Sequence, residues 1–267
     1  MGKLTHAPVF YVVAQVTHSP ILKLDDLVPD LQDRLRKEGF PGYQALKQVS
    51  LQVQTNLNSP AETKVEPSEV TSHVFSTRDR SESFVVGRDS FALQTVEYDR
   101  VDTFIAAFAK GIRACQDILA PDSFTRVGLR FLDAVTPPAG GELSEYIRKQ
   151  FFGLHDTVGE DWETSYTFSE TALRREDQQI KVRVLTRSSE LMWPPDLKLT
   201  APTLPARFAA ISGVHALLDS DVSFTADEGA AQEFGENAIL QRLKGLKRDI
   251  SDSFKAVVTE SALKDWE

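Results

Sequence analysis

One cysteine in 267 residues, Cys115, excludes an internal disulfide framework and any zinc site built on several thiolates. No stretch reaches the ~18 uninterrupted apolar residues that a membrane-spanning helix needs. No run of about five like charges forms a tail. The N-terminus has no charged region leading into an apolar core, so no secretory signal is expected, and the expected compartment is a reducing cytosol. Lys and Arg number 30 against 39 Asp and Glu, a net charge of -9, which excludes a uniformly basic footprint for nucleic acid and leaves only a local basic patch. What is present is an ordinary globular mixture, 41% hydrophobic and 26% charged, which rules out disordered and fibrous classes. The length suits one large domain or two of about 130 residues.

Familiar catalytic motifs are equally scarce. The five histidines (His6, His18, His73, His155 and His215) are scattered without metal-ligand spacing, so no metal is expected. Neither a G-x-S-x-G elbow nor a phosphate-binding glycine loop occurs, and Gly140-Gly141 offers at most a weak anion contact before a helix. Cys115 falls on an apolar helical stripe and reads as a structural thiol. Pro195-Asp196-Leu197-Lys198 and Glu62-Thr63-Lys64 superficially match fragments of a metal-dependent nuclease signature. Such sites need the acid-x-Lys triplet on a strand beside a second carboxylate, and both fragments sit in proline-containing loops. Glu160-Asp161-Trp162-Glu163 reads as a solvated turn. No cofactor is expected, and the balance leans away from an enzyme.

Hydrophobic periodicity predicts two similar series of elements. In the first, Val9 to Val16 reads as a buried strand ended by Pro20. Leu24, Leu27, Leu31 and Leu35 mark a helix with Asp25 or Asp26 as its cap, Pro29 confined to its first turn and Gly39 as its stop. Val49, Leu51 and Val53 alternate as a strand, and a loop follows from Asn56 to Glu69. His73 to Thr77 and Ser83 to Thr95 form a hairpin, and a long helix from Val101 ends at Pro121. In the second series, Thr125 to Val135 is a strand, and Leu143, Ile147, Phe151 and Leu154 mark a short helix. Glu163 to Ala172 pairs with Gln179 to Thr186, Val214 to Phe224 is a further strand, and Ile239 to Val257 forms a long terminal helix. The expected fold class is α+β: two pseudo-repeated strand-helix-three-strand-helix units, 1–122 and 123–267, each an antiparallel sheet covered by a long helix. The alternative is one irregular α+β domain whose halves match by chance.

Arg126-Val127-Gly128-Leu129-Arg130-Phe131-Leu132-Asp133 resembles the R-x-G-L-R-[YF]-[IL]-[ND] signature of a sporadically distributed prokaryotic protein family. Ala7-Pro8-Val9, Ser19-Pro20-Ile21 and the run from Phe84 to Thr95, leading to Tyr98 and Phe104, are similar to the same pattern. Asp133 stands where the family usually has Asn, and Val74 where it often has Trp. The resemblance brings no catalytic residues. Its patchy distribution implies a setting such as phage defence or toxin–antitoxin systems.

Two constellations point to binding. Arg126 and Arg130 share one face of their strand with Gly128 bare between them, while Val127, Leu129 and Phe131 point into the core. Lys181 and Arg183 share a face of a later strand. Were the strands neighbours, four cations would meet and fork onto a phosphate or carboxylate, unless protein carboxylates pair with them first. The second constellation is the long connection Ser188 to Ser212, with four prolines and many large apolar groups. Its Met192, Trp193 and Leu197 either anchor a partner or cap the chain's own sheet. On the terminal helix, Arg242, Lys244, Lys247 and Arg248 make an outer basic side over a well-filled apolar stripe. The expected function is a cytosolic, non-enzymatic binding or regulatory protein acting through a protein partner. The alternative is recognition of a phosphorylated ligand or nucleic acid by the basic sheet face. No membrane partner is expected.

Overall fold

A computed structural model describes residues 4–54, 64–138, 140–154, 162–197, 202–227 and 229–267. The β-branched and aromatic run Val9–His18 forms β1, and the leucine repeat at helical spacing forms α1 (Leu24–Lys37). There follow β2 (Gly42–Gln54), β3 (Lys64–Ser76), β4 (Glu82–Val86), β5 (Ser90–Thr95) and α2 (Val101–Ile118). The remainder is β6 (Ser123–Val135), β7 (Tyr166–Arg175), β8 (Gln178–Ser188), α3 (Ala206–Ala209), β9 (Val214–Thr225), β10 (Gln232–Glu233), α4 (Glu236–Val257) and α5 (Glu260–Trp266).

The expectation of two helix-covered sheets is overturned. The ten described strands build one antiparallel sheet in the order β2-β3-β4-β5-β1-β6-β9-β8-β7, with β10 added against β6. The seam is the β1–β6 pairing, which runs from Val9 opposite Asp133 to His18 opposite Phe124. Two separate sheets would each leave one of these apolar strands with an unpaired edge, and pairing them removes both edges. Reading outward from the seam, β1-β5-β4-β3 on one side faces β6-β9-β8-β7 on the other.

The long helices share one face of this sheet. Leu31 and Leu35 of α1, Phe108 and Ile112 of α2, and Leu243 and Leu246 of α4 close over Val12, Ala14 and Val16 of β1, Leu93 of β5 and Leu129 of β6 in one core. That core crosses residue 122, so the seam lies inside it. A second cluster on the same face joins Val135, Leu218 and Val184 to α5 through Trp266. No helix among the described residues is long and apolar enough to cross a membrane.

Several local expectations also change. The segment around Leu143 to Leu154 is not a helix but two 3-10 turns, Leu143–Glu145 and Lys149–Phe151, separated by extended Arg148. Its backbone is claimed elsewhere: Arg148 N–H donates to the Val257 carbonyl and Thr259 N–H to that of Tyr146, zipping the segment to the α4–α5 junction. Ser83 to Thr95 is two strands rather than one, because the chain reverses at Gly87, whose N–H donates to the Ser90 carbonyl at 2.8 Å. Pro29 stands inside α1, not in its first turn, on the exposed side, where water can satisfy the freed carbonyl. The expected loop Asn56 to Glu69 is shortened by the start of β3 at Lys64, and residues 55–63 lie outside the described ones.

Gly111 shows how closely α2 approaches the sheet. A glycine inside a helix ordinarily costs about 1 kcal/mol relative to alanine. Here an added Cβ would lie under 3 Å from ring atoms of Phe84 and Phe91, both fully buried. Gly111→Ala is therefore expected to destabilise the fold by about 1–3 kcal/mol despite its better helix propensity, read as a lowered urea midpoint.

Candidate functional site

The face of the sheet opposite the three long helices carries the predicted basic residues. On β6 the alternation holds: Val127, Leu129 and Phe131 enter the core, while Arg126, Gly128 and Arg130 point the other way. Lys181 and Arg183 of β8 share that face, but β8 is not β6's neighbour. The intervening β9 places Asp221 opposite both Arg130 and Lys181, and Asp219 opposite Arg183. The four expected cations are thus brought to one face with acids between them.

Each arginine has a protein partner. Asp219, 3% exposed, accepts from Arg130 Nε at 2.7 Å and Nη2 at 2.9 Å, and from Arg183 Nη1 at 2.8 Å. Arg130 Nη1 donates to Asp196 at 2.5 Å, and Arg183 Nε to Glu170 of β7 at 2.6 Å. Burial opposes the charge on Arg130, yet its bonds to Asp219 and Asp196 hold it above the ordinary arginine range. Burial lifts Asp221 above the usual carboxylate range against the pull of Arg126 and Arg130. Arg126 Nη1 donates to Gln15 at 3.2 Å, and its guanidinium lies 3.8 Å from Asp221. The same guanidinium folds over Gly128, where an added Cβ would meet it at 2.6 Å, so the patch that the sequence leaves bare is filled by Arg126 itself. Within this cluster four cations, Arg126, Arg130, Lys181 and Arg183, face four carboxylates, Glu170, Asp196, Asp219 and Asp221. A cavity of about 420 Å³ remains beside it, lined by Tyr11, Gln15, Gln94, Arg126, Arg130 and Asp196 among others.

Sequence reasoning missed the two acids of β9. The signal was there: Asp219-Ser220-Asp221 interrupts an otherwise apolar strand with carboxylates two residues apart, hence on one face. Asp196, read only as a weak nuclease fragment, proves to be the outer acceptor for Arg130. Lys198 of that fragment, and Glu62 and Thr63 of the other, lie outside the described residues, as do His155, Glu160 and Asp161. Among the described residues no cluster of three His, Cys, Asp or Glu side chains gathers as metal ligands would.

The long connection after β8 lies across the same face. A bulge between Val9 and Tyr11 turns Phe10 and Tyr11 both towards it. Trp193 packs edge-on against both rings, 5.3 Å from each centroid. Met192, Leu197, Leu204 and Phe208 complete that cluster. Beneath it, Tyr11 donates to Gln94 at 2.7 Å and Gln94 donates to Ser83 at 2.9 Å, a polar chain reaching from β1 across β5 to β4. Met192, Trp193 and Leu197 are therefore partly buried against the chain's own sheet. Trp193→Ala is expected to lower stability by about 2–3 kcal/mol in urea denaturation, where a purely external contact would change it by under ~0.5 kcal/mol.

Three exposed aromatic side chains lie at the β7 end of the sheet. Tyr166 and Phe168 are 64% and 56% exposed on β7, and Trp162 just before them is 77% exposed. β7 is the last strand of the sheet, so no described strand pairs its outer edge. Compared with known proteins, the chain matches no family model and no curated sequence.

Proposed function

We propose that the protein is a cytosolic, non-enzymatic binding or regulatory protein that acts through a protein partner, and that the partner docks on β7. The observation that carries this reading is a ten-residue edge strand, Tyr166–Arg175, with Tyr166 and Phe168 uncovered beside an unpaired backbone edge among the described residues. Such an edge is a template for adding a strand from another chain, and the two aromatics would supply the apolar anchor. The Trp193 loop then braces the sheet rather than meeting the partner. The alternative of anion recognition by Arg126, Arg130, Lys181 and Arg183 is less well supported, since carboxylates occupy the three arginines and Asp221 lies opposite Lys181. The prokaryotic resemblance adds the setting of the proposal: a toxin or a phage-defence effector as the partner.

Tagged protein recovered from its host tests the docking surface. The wild type is expected to carry a partner that a Tyr166→Lys, Phe168→Lys double variant loses, with unfolding unchanged to within ~0.5 kcal/mol because both positions are exposed. Recovery of the wild type alone, or of the same partner by both forms, would overturn it.

A further inference from the structure

On the helical side of the sheet, a cavity of about 700 Å³ opens between the N-terminal segment at Leu4 to Val9, the start of α2, β6 and α4. Its volume falls in the range of small-molecule sites. Ala7, Val9, Val101, Phe131, Ile250 and Phe254 supply apolar wall. Two ionisable groups reach it from opposite sides: Asp133 from β6 and Lys247 from α4. Asp133 is 5% exposed, and its carboxyl feels burial and the Lys247 charge with no hydrogen bond from a described residue. The Lys247 amine sits over the Phe131 ring at 5.3 Å and donates to Ser251 Oγ at 2.6 Å, but forms no ion pair with Asp133 within 4 Å.

A buried carboxylate and a half-buried amine in one cavity, each partly desolvated and neither closed on the other, is a costly arrangement for folding alone. Burial pushes the Asp133 carboxyl up to about 7, against the pull of Lys247, and pushes the Lys247 amine down, against the pull of Asp133. Ser251 Oγ donates its own proton to the Lys247 carbonyl at 3.0 Å, so the Ser–Lys contact steadies the amine and leaves no hydroxyl proton for it to abstract. Around the rim, Asp99, Asp102 and Asp252 balance Arg100, Arg248 and Lys255. With Asp133 and Lys247 included, the lining is four acids against four bases.

We infer that this cavity binds a small zwitterion with an apolar body, an apolar α-amino acid or short peptide, whose ammonium meets Asp133 and whose carboxylate meets Lys247. Such a ligand completes both groups at once, adds no net charge to a neutral lining and lays its side chain along the walls. A simple amine or a simple acid would satisfy one group and leave the other without a charged partner.

Calorimetric titration of the full chain with L-phenylalanine, phenethylamine and 3-phenylpropionate tests the assignment, with L-leucyl-L-phenylalanine separating a peptide from an amino acid. Phenylalanine or the dipeptide is expected to bind, and each half-molecule at least about tenfold more weakly. Asp133→Asn keeps the shape and Lys247→Met keeps the stem. Each is expected to weaken the zwitterion about tenfold or more while the circular dichroism spectrum stays unchanged. Absence of binding by all four probes at millimolar concentration would overturn the assignment. So would equal affinity for a half-molecule, or an affinity that neither substitution alters. The β7 edge lies elsewhere on the sheet, so loss of the partner in the recovery experiment leaves this result untouched, and the reverse holds.

Discussion

Asp219→Asn is expected to destabilise the protein by about 3–5 kcal/mol, measured as the change in unfolding free energy in urea at neutral pH. Asp219 accepts three hydrogen bonds from two guanidinium groups, and its side chain is 4% exposed while that of Arg130 is 10% exposed. The amide has the same shape but no charge and only one acceptor oxygen, so Arg130 stays buried with its compensation halved. Asp196→Asn provides the contrast. Asp196 meets the same Arg130 but is 63% exposed, so water and salt screen the pair and the expected loss is at most about 1 kcal/mol. Equal losses at the two positions would mean that the Arg130–Asp219 pair does not hold β6 and β9 together as described.

Asp133→Asn should do the opposite and stabilise the fold, by about 3–4 kcal/mol above pH 7. The carboxyl is raised to about 7 in the folded chain, against ~3.9 when unfolded. Below pH 4 it is protonated in both states and costs nothing. As pH rises from about 4 towards 7, the unfolded chain ionises first and the folded chain loses stability relative to it. Asn does not titrate, so wild type and variant should converge near pH 4 and diverge through this window. The groups facing Asp133 are Lys247 from α4 and Tyr98 beside α2, and the ammonium is the only attraction, weaker than the burial it opposes. Urea titrations of both proteins from pH 4 to pH 8 provide the check, and parallel curves would contradict the buried placement. A side chain that costs stability yet lines a cavity is the usual compromise between stability and a binding site.

Most strands were legible in the sequence, because β-branched and aromatic residues alternate along them and turns such as Arg78 to Ser81 punctuate them, but the reversal at Gly87 and the start of β3 at Lys64 were not. Arg80 adopts φ 59° there, and Asp79 accepts from Thr77 and Ser81. Strand order was not legible. It depends on pairings between residues far apart in the chain, such as β1 with β6, and periodicity within a strand says nothing about its neighbour. That is why two sheets were expected where one formed, and why periodicity left open whether β6 and β8, with Arg126, Arg130, Lys181 and Arg183, were neighbours, where β9 in fact lies between them. The bulge at Phe10 broke the period of two and hid the seat of Trp193. Asp133 was within reach: it continues the inward series Val127, Leu129, Phe131 by one step, a lone carboxylate on an apolar face. Of the short helix predicted near Leu143, Leu143 and Ile147 are buried but Leu154 is exposed, and the segment's backbone partners lie in the α4–α5 junction, which no local pattern reveals.

β1 and β6 form the middle of one sheet within one core. Native-state amide exchange measures this directly. The amides of Val12 to Val16 and of Val127 to Phe131 should open together, at the free energy of global unfolding. Phe108→Ala, which empties part of the core beneath α2, should lower protection in both strands by the same about 3–5 kcal/mol. Protection that falls in β1 while β6 stays unchanged would show two independent units and contradict the single sheet.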